Sequence, residues 1–193
     1  MRVVGRRTVV RCGLIFMAML AFSAHTPYRQ WEVYRMKHLL IGTSREDAAS
    51  YPVGKQVAEL LMHAVPESRA RVARARTIER LGSLIATDQL QVLLLSDKHV
   101  AELALGTGPF ETFGPVEIAR IFRFGGLVLV SRADFPAGHA WIIARAFLDN
   151  AEAFGGTPPR AEDGQVPIHP GVLAAVSGEE PPRDAASGLD GEP

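Results

Sequence analysis

The run QVLLLS, residues 91 to 96, constrains the fold more than any other stretch of the chain. Its apolar residues are consecutive rather than alternating, and the run is too short for a buried helix, so it reads as a strand covered on both faces. DKHVAELAL follows at helical spacing, with Asp97 available as a cap and Gly106 to end it. HLLIG, 38 to 42, is a second short apolar run closed by glycine. After it, PVGKQVAELLMHA places Val53, Val57, Leu60, Leu61 and Ala64 on one helical face, with Pro52 in the first turn where its missing N–H does no harm. SRARVARAR reads as a strand with basic residues alternating outward, and TIERLGSLIAT as a helix capped by Thr77. This alternation of strand and helix predicts an α/β fold: a mostly parallel open sheet, flanked by helices that make right-handed crossovers. VEIARIFRF and GLVLVSR add two strands on either side of Gly125 and Gly126. PAGHAWIIARAFLDNAEAF supplies a further helix with Trp141, Ile142, Ala146, Phe147 and Phe154 on its apolar side.

With 193 residues, 47% of them hydrophobic, the chain supports one core of ordinary size, expected from about Lys37 to Phe154. Lys and Arg total 21 and so do Asp and Glu, so no global basic field points to nucleic acid, and no nucleic-acid partner is expected. The charges are unevenly placed. MRVVGRRTVVRCGLIFMAMLAFSAH sets Arg2, Arg6, Arg7 and Arg11 ahead of a short apolar run with small residues at Ala21, Ser23 and Ala24. That order predicts a signal peptide over residues 1–24, or an uncleaved anchor there, and hence a periplasmic or inner-membrane-tethered protein touching membrane only through this segment. RRTVVR loosely resembles a twin-arginine export motif. Cys12 is the single cysteine and lies in the segment expected to be removed, so the mature chain would hold no disulfide. At the other end, 155–177 reads as an irregular segment carrying PIHPG, and 178–193, rich in Pro, Gly and charge, as a disordered tail.

LLIGTSREDAASYPVGKQVAELL resembles the first strand, loop and helix of the TAXI-type solute-binding receptors of TRAP transporters, in which the stretch I-G-T-G-G-x-x-G-x-Y-Y-P-x-G recurs. The spacing from Ile41 to Gly54 is the same. TIERLGSLIATDQLQVLLLSDKHVAEL is similar to the family's second helix and third strand, LVLVSRADFPAGHAWIIARAF to its returning strand and helix, and PIHPG to its late P-x-H-P-G signature. The resemblance implies a periplasmic-binding-protein-like lobe, and it has a gap. In the family the chain leaves the first lobe, builds a second and returns; here FRFGGLVLVSRADFP passes from the outgoing strand directly to the returning one. A single lobe is expected, with one wall of the family's cleft and no closing hinge.

Carried over by position, the ligand-side loop falls on Gly42, Thr43, Ser44, Ser50, Tyr51 and Gly54, and the strand-end site extends to Ser96 and Asp97. A loop between a strand and a helix N-terminus offers backbone N–H groups to a carboxylate. In this chain Ser44 stands where the family has glycine, Ser50 where it has its first tyrosine, and Glu46 and Asp47 bring negative charge to the mouth. The two acids either repel an anion or cap the helix that follows. No G-x-S-x-G elbow, phosphate loop or paired metal-ligand spacing is present in the sequence, so no catalytic residues, metal or cofactor are expected. His99 reads as a surface helix residue, and adjacent residues in SDKH do not face one another. His169 reads as a turn histidine bonding the backbone. The expected function is weak binding of a small polar or carboxylate solute, or an accessory role beside TRAP membrane subunits. The alternative is an orphan lobe that binds another periplasmic protein or a second copy of itself.

Overall fold

The computed structural model describes residues 38–151 and 155–182. The expected signal segment with Cys12, the residue Phe154, and the tail from 183 onward lie outside the described residues. Among the described residues no helix is long and apolar enough to cross a membrane.

The elements run β1 (Leu40–Ser44), α1 (Ser50–Ala64), β2 (Arg71–Ala75), α2 (Ile78–Ala86), β3 (Val92–Ser96), α3 (Asp97–Leu105), β4 (Ile118–Phe124), β5 (Leu127–Arg132), α4 (Ala137–Asp149) and α5 (Pro170–Ser177). One five-stranded sheet has the order β2-β1-β3-β5-β4. β1 pairs in parallel with β2 and β3, as the crossover pattern requires. β5 runs antiparallel to both β3 and β4, because the turn at Gly125 and Gly126 folds β4 directly back on itself. β5 then inserts between β3 and β4, so β4 points the same way as β3 although the two do not touch. The architecture is a single α/β lobe with a mixed sheet, parallel through β2, β1 and β3.

β3 is central: Val92, Leu93, Leu94 and Leu95 are all within 1% of full burial, which is why its residues need not alternate. Two apolar clusters cover the two faces of the sheet. On one, Ile41, Val92, Leu94 and Leu129 pack against α1 and α4 through Val57, Leu61, Ile143 and Phe147. On the other, Leu93, Leu95, Val128 and Val130 pack against α2 and α3 through Leu81, Ile85, Val100 and Leu103. The buried face of α4 centres on Ala140, Ile143, Ala144 and Phe147; Trp141 and Ile142, expected on that face, are only partly buried. Trp141 packs against the core's flank and donates its indole N–H to the Glu179 carbonyl at 3.0 Å.

The two edges differ. β2 is an outer strand with Arg71 and Arg74 exposed, the solvated edge its basic alternation suggests. β4 is covered by the segment after α4. Arg123 and Thr157 exchange both backbone hydrogen bonds at 2.9 Å, Arg120 N–H donates to the Pro167 carbonyl at 2.8 Å, and His169 N–H donates to the Arg120 carbonyl at 3.0 Å. PIHPG then opens α5, which lies on α4.

Candidate functional site

The stretch from Gly42 to Gly54 is tied to itself. Gly42, Thr43 and Ser44 belong to β1 rather than to a loop, and α1 begins at Ser50, ahead of Pro52. Thr43, Ser44 and Ser50 are completely buried. Ser44 N–H donates to Ser50 Oγ at 3.3 Å, Arg45 N–H to the Ala75 carbonyl at 3.0 Å, and Glu46 N–H to Ser44 Oγ at 3.1 Å. Three successive donors of the kind a carboxylate would use are therefore engaged within the chain. Ser50 Oγ donates to the Asp47 carbonyl at 2.8 Å, and Thr43 Oγ1 to the Ala73 carbonyl at 3.3 Å.

The two glycines have packing reasons. A Cβ on Gly42 would lie 2.3 Å from Leu93 Cδ2, and one on Gly54 2.8 Å from Thr43 Cγ2, so both keep elements close rather than admit a ligand. Tyr51 lies under the Arg74 guanidinium, whose Cζ is 4.4 Å from the ring centroid.

The acids at the mouth divide between two tasks. Glu46 Oε2 accepts from Ile78 N–H at 2.8 Å, so it caps α2, 32 residues away, not the helix that follows it. The first turn of α1 holds no acid at all. Asp47 Oδ2 is buried without a hydrogen-bond partner among the described residues, which makes this end of β1 hostile to a second carboxylate.

At the end of β3, Ser96 rather than Asp97 caps α3: its Oγ accepts from His99 N–H. The same Oγ lies 2.9 Å from His99 Nδ1. Residues three apart on a helix start do meet here, although neighbours in SDKH do not. His99 is half-buried, its ring edge-on to Phe110 at 6.4 Å, rather than a surface residue. Asp97 forms an ion pair and hydrogen bond with Arg123 of β4.

Beside that ion pair runs a groove of about 720 Å³ between α3, the β4–β5 hairpin and residues 163–167. Asp97 borders it, and the walls are apolar through Val100, Ala101, Val116 and Val128. Arg120 lines it too, only 3% exposed, and its Nε and Nη1 have no hydrogen-bond partner. The register of β4 against β5 slips between Arg120 and Phe122, leaving Ile121 as an extra residue. Such a bulge re-aims side chains. Ile118 stays with the α3-side cluster, whereas Ile121, Phe122 and Phe124 join the opposite one. Burial lowers the Arg120 pKa from its ordinary value and neighbouring Arg123 adds to this, while Asp163 and Asp97 act in the other direction.

Sequence reading passed over Arg120 and Arg123. Their signal is visible in IARIFRF, where two arginines interrupt a strand otherwise apolar enough to be buried on both faces. Among the described residues no cluster of three His, Cys, Asp or Glu side chains is placed to hold a metal ion. Comparison with known protein families and with curated proteins finds no match to the chain.

Proposed function

We propose that the chain is an exported, single-lobe protein of the solute-binding kind, related to the TAXI-type receptors of TRAP transporters, with a binding or accessory role and no catalysis. The observation that carries this reading is the position of β5. It runs antiparallel between β3 and β4 directly after the Gly125–Gly126 turn, at the place where the resemblance implies that a second lobe would leave and return. A lobe lacking its partner supplies one wall of a cleft, so binding of family-type ligands at the β1 end is weak. The engaged N–H groups of Ser44, Arg45 and Glu46 and the buried carboxylate oxygen of Asp47 support the same conclusion.

A hydrolytic alternative would rest on Ser96 and His99. A serine nucleophile needs a base that is itself oriented by a third group. Among the described residues no carboxylate hydrogen-bonds His99, and the serine oxygen is already occupied as a helix cap. The contact is therefore read as capping.

Calorimetry on the full chain with glutamate, other amino acids and small mono- and dicarboxylates tests the proposal. The expected result is millimolar or weaker binding of glutamate with a measurable response to at least one other solute. Micromolar glutamate binding would show that one lobe makes a complete family site. Silence across the panel would leave the protein-interaction reading as the better one.

A further inference from the structure

We propose that the groove beside α3 is a binding site for a small monocarboxylate with an apolar body, whose charge is taken by Arg120. This rests on the solute-binding reading above and moves the site from the β1 loop to the groove between α3, the β4–β5 hairpin and residues 163–167.

The fold buries the Arg120 guanidinium and leaves its Nε and Nη1 without hydrogen-bond partners. A guanidinium does not shed its proton within the ordinary pH range, so burial cannot be relieved by neutralisation. Buried charges are normally paired and hydrogen-bonded, because an unpaired one costs several kcal/mol or more on general grounds. Arg120 is 97% out of solvent with two donors unpaired. Asp163 and Asp97 offset part of its charge through space but do not hydrogen-bond its Nε or Nη1: Asp97 pairs with Arg123, and Asp163 accepts from the Arg160 N–H at 2.7 Å. The backbone of Arg120, in contrast, is pinned on its outer side to Pro167 and His169. The base of the side chain is thus fixed, while Nε and Nη1, on a residue that lines the groove, have no hydrogen-bond partner.

The groove around it has the properties of a ligand site. Its volume, about 720 Å³, falls in the range of small-molecule pockets, and apolar side chains dominate its walls. One concentrated cation within an apolar wall selects a ligand with one anionic end and an apolar remainder. The charge count of the rim narrows this further. Asp97, Glu117 and Asp163 all border the groove, so a second carboxylate on the ligand would meet like charge. A dianion is disfavoured where a monoanion is accepted. This selectivity is opposite to that of a basic patch, which prefers the more highly charged ligand.

The experiment is calorimetry and thermal unfolding of the full chain with isovalerate, its uncharged analogue isovaleramide, and glutarate. Isovalerate is expected to bind, and isovaleramide and glutarate to bind at least about tenfold more weakly, the loss of one hydrogen bond to a charged group. Arg120→Met should abolish most of the isovalerate affinity and, because it removes an unpaired buried charge while keeping length, should leave the midpoint of unfolding unchanged or raised. Ala101→Trp, at an exposed position on the groove wall, should block isovalerate binding without touching the core and so tests the groove independently of the Arg120 variant. If a carboxylate binds but neither substitution weakens it, the groove assignment is wrong while the solute-binding reading survives. If no carboxylate binds at all, both fall. A clear destabilisation by Arg120→Met would identify Arg120 as a structural charge and overturn the proposal.

Discussion

His169 is the residue whose replacement the structure prices most closely. It is 1% exposed, at the junction between the segment covering β4 and the start of α5. Its Nδ1 accepts from Gly171 N–H at 3.2 Å, and its Nε2 lies 2.9 Å from the Phe135 carbonyl, which can only accept. The neutral Nε2–H tautomer is therefore fixed by its partners. His169→Ala removes a helix N-cap, about 1 kcal/mol, and leaves the Phe135 carbonyl without a partner, about 1–3 kcal/mol more. The expected loss is about 2–4 kcal/mol. His169→Asn, which can still cap, should lose only the second part.

The same geometry sets a pH dependence. Burial lowers the His169 pKa below its ordinary 6.5, the hydrogen bond to Phe135 opposing this in part. Below that ordinary value the unfolded chain takes up a proton that the folded chain refuses, so the contribution is fully present above about pH 6.5 and is lost as pH falls toward the folded pKa. The slope reaches at most about 1.4 kcal/mol per pH unit. Urea unfolding at pH 7.5 and 5.5 measures both effects. If the alanine variant loses less than about 0.5 kcal/mol at pH 7.5, or keeps the wild-type pH dependence, the capping account of PIHPG is wrong.

Glu46→Gly should cost about 1 kcal/mol, because it removes the acceptor of the Ile78 N–H while the Thr77 cap of α2 remains; urea unfolding reads the loss, and no loss would show that the long-range cap contributes nothing. Pairing it with Asp47→Gly should not create a glutamate site, since the N–H groups of residues 44, 45 and 46 stay engaged within the chain; calorimetry showing new micromolar binding would contradict this. Gly42→Ala should destabilise by about 1–3 kcal/mol through the contact with Leu93 and Leu90, and a neutral thermal shift would mean that β1 and β3 are less tightly packed than described.

What was legible in the sequence was local. The buried strand at 91–96, the Thr77 cap, the Gly106 terminus with its left-handed φ of 64°, and the bond from Gly171 N–H to His169 each depend on residues within a few positions of one another, whereas the bond of His169 to Phe135 spans 34 residues. The parts that were not legible depend on distant pairs. Glu46 caps a helix that begins 32 residues later, and the reading that confined it to its own loop could not see this. The segment after α4 reads as irregular because its composition is Pro- and Gly-rich, yet it pairs with β4 at Arg123 and Arg120 through isolated bridges too short to leave a periodic pattern. The antiparallel insertion of β5 follows from the two-glycine turn at Gly125 and Gly126, which the strand-helix alternation before it does not extend to. At the site, the position-by-position resemblance drew attention to Ser44 and Ser50, small polar residues that satisfy each other in the fold. Arg120 sits in a strand outside every motif, and only the register slip beside it and its missing partners give it meaning.

The central claim is that ligand is held at the Arg120 groove and not at the β1 loop. Its most direct test is an amide and arginine side-chain NMR titration of the full chain with isovalerate. The account predicts saturable shifts at the Arg120 Nε–H and at the amides of Ala101, Val116 and Val166, with Ser44, Ser50 and Tyr51 unmoved. Shifts confined to Ser44, Ser50 and Tyr51, with the Arg120 Nε–H silent, would contradict it.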